Sequence, residues 1–322
     1  MSERNNFFEK IKNLFCKRNG GNAPVKARRK NNDFLFCLLF SALPLLQFCI
    51  FYVYVNLNSV LLSFQTYSLT EGYGFAGFDN FIKVFGDLVN LFEVRQSALN
   101  SLILFAVTLF VSTPLCLLFS NYIYKKCFAW KFAKIVIFTP SIISGIVFVT
   151  LYVHIADSVI PSVVRQLFNI KIRGLLANID TRFGAIVFYS VWCGFGSNVI
   201  IYASTMSGIS PAVVEAGQID GISPFKEFIY ITLPLVYPTC ALFMSVSVTG
   251  IFLNQANLFS FYGDHADPKL STLGYFLYKG IYKNDKTMFP YLSAMGVIFT
   301  CIAVPLVYGV KYLMLKLGPS ED

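Results

Sequence analysis

Glu215 and Asp220 stand in a polar stretch between two strongly apolar ones, with the small residues Ala216, Gly217 and Gly221 around them. Small residues beside a carboxylate let another surface come close and leave the carboxylate free for an ion pair or a helix-cap contact. The chemistry this set supports is docking. A second set is neutral and lies inside apolar segments: Ser190, Trp192, Gly194, Gly196, Ser197 and Asn198, then Ser245, Ser247, Gly250, Asn254 and Gln255. Amides, hydroxyls and an aromatic ring suit a neutral polyol. Polar groups at membrane depth are costly and face a cavity or the bundle interior; the alternative is that they hold helices together. Helical spacing puts Ser247, Gly250, Ile251 and Asn254 on one face. No catalytic constellation accompanies either set. His154 and His265 are lone histidines with structural roles. Cys193 has no histidine in its stretch and is no nucleophile candidate.

The elements that must hold these residues are membrane spans. The chain has 322 residues, 56% of them hydrophobic and 13% charged. A soluble domain carries roughly twice that charge. The apolar residues fall in blocks of about 20, the length that crosses a bilayer as a helix. The expected architecture is all-α, a polytopic membrane protein with six transmembrane helices. They run about Phe34 to Leu57 (continuing toward Phe64), Leu99 to Tyr122, Phe132 to Val153, Phe183 to Met206, Leu235 to Gln255 and Tyr291 to Met314. The eight cysteines, at 16, 37, 49, 116, 127, 193, 240 and 301, have no C-x-x-C spacing and read as reduced residues without metal or disulfide.

Charge orients the chain. Of the net charge of +9, much sits in the first thirty residues, from Arg4 to Lys30. These bases flank the first span, so the positive-inside rule accounts for them and a nucleic-acid partner is not needed. A basic region this long, with so long an apolar block behind it, is not a cleavable signal peptide. Residues 1–32 are a basic cytoplasmic tail and 33–318 the membrane domain. Within the tail, Phe7, Phe8, Ile11, Leu14 and Phe15 share one helical face that could rest on anionic lipid; a disordered tail is the alternative. Lys125, Lys126, Lys131 and Lys134 place the loop after the second span inside, and Lys311 and Lys316 do the same for the C-terminus. Arg165, Lys171, Arg173 and Arg182 break the rule in an outer loop. No span has a cluster of Asp or Glu at its centre, and His154 and Asp157 sit at a membrane edge, which argues against a proton relay.

The loop 208–233 is then cytoplasmic and built as helix-turn-helix. Ser210-Pro211 reads as N-cap and first helical residue, Gly221 as a left-handed stop, and Ser223-Pro224 as a second start through Tyr230. Pro234 and Pro238 mark entry to the fifth span.

Glu215-Ala216-Gly217, Gly221 and Ile231-Thr232-Leu233-Pro234 resemble the E-A-A…G…I-x-L-P coupling loop of ABC-importer permeases, with Gly217 where Ala is usual. Phe75 to Phe81, Asn100-Ser101-Leu102, Pro140 with Ile143-Ser144, and Trp192, Gly194, Tyr202 and Gly208 to Pro211 resemble further motifs of the carbohydrate-uptake subfamily in the same order. The resemblance covers most of residues 34 to 314, and the chain is similar to the larger maltose-type permease subunit without its extra N-terminal spans. It implies a subunit that translocates a sugar or oligosaccharide by alternating access. Glu215, Ala216, Gly217, Asp220 and Gly221 would dock the ATPase; Gly194, Ser197, Asn198, Ser247, Asn254 and Gln255 would line the substrate path. The chain has no G-x-x-x-x-G-K-[ST] loop, so it binds no cofactor itself, and ATP and Mg belong to partner ATPase subunits. The implied partners are a second, related permease in a heterodimer, two ATPase subunits, an extracytoplasmic solute-binding protein and membrane lipid. The implied site is a prokaryotic plasma membrane, with both termini cytoplasmic. The Gly263 to Pro268 run departs from the family's usual G-G-P. Other readings are a permease for glycerol phosphate, which favours a buried base not found in the spans, and a secondary transporter.

Overall fold

The computed structural model describes residues 25–70 and 72–318. The tail face at residues 7–15 lies outside them. The chain forms two compact units, one ending at Ser59 and one beginning at Val60. The first contains the helix Val25–Phe48 and its π-helical continuation Cys49–Tyr54. From Phe36 to Ser59 no residue of this helix is buried. An apolar helix exposed on all sides requires lipid or a partner around it.

Among the described residues six helices are long and apolar enough to cross a membrane: Phe36–Ser63, Phe92–Tyr124, Gly145–Phe168, Ile179–Ser207, Pro224–Tyr262 and Phe289–Lys316. The chain is an all-α, multi-pass membrane protein; the strands among the described residues are one short hairpin, Gln65–Ser68 with Gly72–Phe75.

Proline shapes these spans in a repeated way. A proline inside a helix lacks its N–H and its ring collides with the carbonyl four residues back. Three π-helical turns each end two residues before one: Thr108–Ser112 before Pro114, Ile155–Val159 before Pro161, and Phe228–Thr232 before Pro234. Widening the turn relieves the collision while the helix continues.

The third span differs from expectation. A helix Trp130–Ile142 comes first, Ile143 and Ser144 are extended, and a new helix starts at Gly145. The apolar run 132–153 is therefore broken at its middle, just beyond Pro140. Both pieces follow the fourth span in antiparallel order. A Cβ at Gly196 would overlap the carbonyl of Ile137, the Phe148 ring lies 5.1 Å from that of Trp192, and the Tyr152 hydroxyl donates to the carbonyl of Ala185 at 2.8 Å.

Two amides named in the sequence motifs tie the segments between spans. Asn80 Nδ2 donates to the carbonyls of Ser63 (2.9 Å) and Gln65 (2.7 Å), satisfying the end of the first span. Asn100 Nδ2 donates to Lys269 and Ser271, both at 2.8 Å, while Ser101 Oγ accepts from the Leu273 N–H at 3.0 Å. Arg182 donates to the carbonyl of Leu176 at 2.6 Å, and Asp157 accepts the Leu176 and Ala177 N–H groups at 2.8 and 3.2 Å. Arg182, an exception to the charge rule, is thus held in a structural role.

Apolar side chains gather in three cores: around Tyr189 with Phe148 and Tyr152, around Met295 with Val84 and Phe252, and around Met206 with Val199, Tyr202 and Val236.

Candidate functional site

The polar loop begins with the helix Pro211–Ile219. Ser210 and Ser223 occupy the cap positions, yet neither side chain makes a cap hydrogen bond. Proline at the first helical position does the local work: it fixes φ and removes one orphan donor. Gly221 ends the helix at φ +72°, and the Ile222 N–H reaches back to the Gly217 carbonyl at 3.1 Å. Ile222 then touches the space over Gly217, as a left-handed helix stop with its apolar contact requires.

Along this helix Val214 and Gly217 face inward, while Ala212, Glu215, Ala216 and Ile219 share the exposed face. Gly217 is therefore not part of the outward face. A Cβ there would stand 2.6 Å from Ile231 Cδ1, so glycine serves close packing of the loop on the span behind it. Asp220 and Gly221 are exposed at the tip. Two residues that charge and motif reasoning passed over complete the surface: Ile219 is 86% exposed and Phe225 67%. Their large apolar side chains on a polar loop were the available signal.

The second arm is not a separate helix. Pro224–Glu227 runs through the wide turn Phe228–Thr232 directly into Leu233–Ser247. Pro234 and Pro238 lie within the fifth span and do not mark its start, because the π-turn accommodates the first of them. Glu227 is buried and forms an ion pair with Lys125, from the loop after the second span. Sequence reading gave Lys125 only an orienting role. The pair joins the loop 208–233 to the loop after the second span, and its charge is compensated where it is buried.

The fifth span is itself interrupted. Its helix stops at Ser247, turns at Val248 and Thr249, resumes at Gly250 and ends at Leu253. Ser245, Ser247 and Thr249 all return their hydroxyls to backbone carbonyls three or four residues back, which competes with the helix ladder and bends it. The single polar face expected for Ser247, Gly250, Ile251 and Asn254 does not survive this break: Ile251 is buried in a core, and Asn254 is exposed beyond the helix end. Asn254 Oδ1 accepts the Ala256 N–H at 2.8 Å, and its carbonyl accepts from Thr272 Oγ1 at 2.8 Å. A Cβ at Gly274 would overlap the carbonyl of Leu253, so glycine lets the next helix close on this end.

The fourth and fifth spans meet at two aromatic contacts. Tyr202 lies 5.4 Å from Phe243, and Tyr189 lies 4.9 Å from Phe261. Those contacts are about 20 Å apart along the fourth span at the helical rise of 1.5 Å. Gly194, Ser197 and Asn198 fall between them on one span, and Ser247, Asn254 and Gln255 on the other. Among the described residues no hydrogen bond joins the two groups. Gly194 and Ser197 are exposed, and Cβ positions at Gly194 and Gly250 meet nothing within 4 Å. Gly196 belongs instead to helix contact. Irregular backbone at this depth is tolerated where it lines a cavity. Ser190 Oγ is buried without a partner beside this level.

Beyond the end of the fifth span, Tyr275 holds the Gly263 to Pro268 run that departs from the family pattern. Its hydroxyl donates to the Gly263 carbonyl at 2.8 Å and accepts the Ala266 N–H at 3.2 Å. Burial pushes the Tyr275 hydroxyl above its ordinary pKa, which keeps it a donor.

The fold is that of a polytopic membrane protein, and the proteins it is similar to are permease subunits of ABC transporters. No family model matches the chain. In sequence it is similar to sugar ABC-transporter permeases. It is 24% identical to the arabinooligosaccharides transport system permease protein AraP of Bacillus subtilis (strain 168), over 88% of each chain. It is 26% identical to the diacetylchitobiose uptake system permease protein NgcF of Streptomyces coelicolor, over 88% of this chain and 83% of that one. It spans about half the length, 53%, of a probable ABC transporter permease of Mycoplasma pneumoniae, at 26% identity over 54% of this chain. In structure it is similar to a bacterial ABC transporter involved in import of the acidic polysaccharide alginate, with TM-score 0.72, 18% identity, and coverage of 89% of this chain and 97% of that chain. A second structure of a bacterial alginate ABC transporter, in complex with a periplasmic protein carrying an alginate pentasaccharide, matches at TM-score 0.70 and 19% identity over 89% and 96%.

Proposed function

We propose that residues 33–318 form the permease domain of an ATP-driven importer for a sugar or oligosaccharide, working by alternating access. The observation that carries this reading is continuity: the loop 208–233 runs without a break into the fifth span. Movement imposed at Glu215, Ala216 and Ile219 is transmitted along Pro224–Ser247 to the level of Ser247 and Asn254. Neutral hydroxyls and amides there suit a neutral polyol, and the similar AraP and NgcF permeases are named for oligosaccharide transport and diacetylchitobiose uptake.

On this reading the chain works with a second, related permease, two ATPase subunits that hold ATP and Mg, and an extracytoplasmic solute-binding protein. Both termini and the docking loop are cytoplasmic, in a prokaryotic plasma membrane. The exposed first span fits lipid or the second permease as its cover. Co-purification with the partner ATPase and uptake by reconstituted vesicles test the reading. Glu215→Lys combined with Gly221→Pro should abolish both. Intact complex and uptake in that variant rejects the docking role. Uptake driven by an ion gradient without ATP would favour a secondary transporter. ATPase stimulation across a panel of oligosaccharides, with glycerol phosphate included, identifies the cargo.

A further inference from the structure

A cavity of about 390 Å³ lies where the loop after the second span meets the end of the fourth span. Lys126, Lys134, Trp130, Tyr124, Ser204 and Ser207 line it. Its floor is apolar, from Ile123 and Ala203. The volume is in the range of small-ligand sites, roughly 300–1,000 Å³.

The electrostatics of this cavity are one-sided. Neither Lys126 nor Lys134 has a carboxylate within ion-pair reach among the described residues, and no acidic residue lines the cavity. The neighbouring acid, Glu227, is already paired with Lys125. Trp130 and Lys134 are one turn apart on the helix Trp130–Ile142, so both project from one face. That helix starts here with no side-chain cap, which adds its positive end to the two ammonium groups. The Ser204 hydroxyl makes no hydrogen bond among the described residues, and the residue stands about one turn from Ser207 on the helix Ile179–Ser207.

The setting is interfacial. Phe128, at the tip of the same loop, is 94% exposed, and Phe132, Ile135 and Val136 on the adjoining helix are exposed too. Exposed aromatics beside lysines are what a segment at the headgroup level of a bilayer carries. A site with cations and hydroxyls at its rim, an indole at its wall and an apolar floor matches a phosphate with an acyl chain attached better than a fully hydrated anion. We propose that this cavity binds the phosphate of an anionic phospholipid, with Lys126 and Lys134 as its cation partners and Ser204 as a hydroxyl donor.

The test uses the full-length chain, solubilised with an equal mixture of phosphatidylglycerol and phosphatidylcholine and weighed intact by native mass spectrometry. Phosphatidylglycerol should be retained preferentially. Lys126→Gln with Lys134→Gln should lower that preference by about tenfold, while Lys311→Gln with Lys316→Gln leaves it unchanged. Lys126→Arg with Lys134→Arg should preserve it, which separates loss of charge from loss of fold. Unchanged preference in the glutamine variant overturns the proposal. Displacement of the lipid by millimolar inorganic phosphate also overturns it, in favour of a soluble-anion site.

Discussion

At the scale of single residues, Glu227 matters more than the carboxylates of the exposed loop. Its side chain is 4% exposed, and its one cation partner, Lys125, comes from a different loop. Removing Lys125 strands a buried carboxylate, which is worse than removing both groups. Lys125→Ala is expected to lower stability by about 2–3 kcal/mol, and Lys125→Ala with Glu227→Ala by less than the two single changes together. Thermal unfolding of the purified chain measures this; additive losses would mean the pair is not coupled. Gly274 gives a second residue-scale expectation. A side chain there meets backbone at Leu253 and Asn254, which cannot rotate away. Gly274→Ala should destabilise by about 1–3 kcal/mol, as overpacking does. It should also lower uptake by displacing Asn254; a variant with wild-type unfolding and uptake would contradict this.

At the scale of elements, the loop helix and the fifth span behave as one lever, because the π-turn at Phe228–Thr232 lets Pro234 sit inside a continuous helix. Gly217 sets how closely the two arms lie. Gly217→Ala restores the residue usual in the family, but its Cβ would press on Ile231 Cδ1. That contact is the flexible end of a side chain, so the change should cost less than about 1.5 kcal/mol, and Ile231→Val should recover most of it. Melting curves of the single and double variants check the pair, and a recovery of nothing would place the strain elsewhere. The interruption at Val248–Thr249 is the other element-scale feature. Serine and threonine hydroxyls turned back onto the helix ladder bend it without a proline at the break.

At the scale of the whole molecule, the chain presents surfaces that a lone subunit in water would not keep: a first span with no buried residue from Phe36 to Ser59 and a loop tip carrying Ile219 and Phe225. Large exposed apolar side chains mark contact with a partner or with lipid. Ile219→Asp should leave the fold intact, since the residue is 86% exposed, and should reduce ATPase co-purification by roughly tenfold or more if Ile219 is an anchor of that interface. Pull-down from solubilised membranes, with a melting curve as the folding control, reads both; a full yield of ATPase would remove Ile219 from the contact.

By itself the sequence determined the all-α class, six spans, the polar loop between the fourth and fifth of them and its glycine stop, because length, hydropathy and turn chemistry are local properties. It also pointed to Asn80 and Asn100 without showing what they hold. Only the tertiary structure decided which side of a helix each residue occupies relative to its neighbours. It turned Gly217 inward onto Ile231, paired Glu227 with Lys125, broke the third span at Ile143–Ser144 and separated Asn254 from the face of Ser247. Those outcomes depend on contacts between segments far apart in the chain. Periodicity within one segment carries no information about them, since each is settled by which backbone or charge arrives from elsewhere.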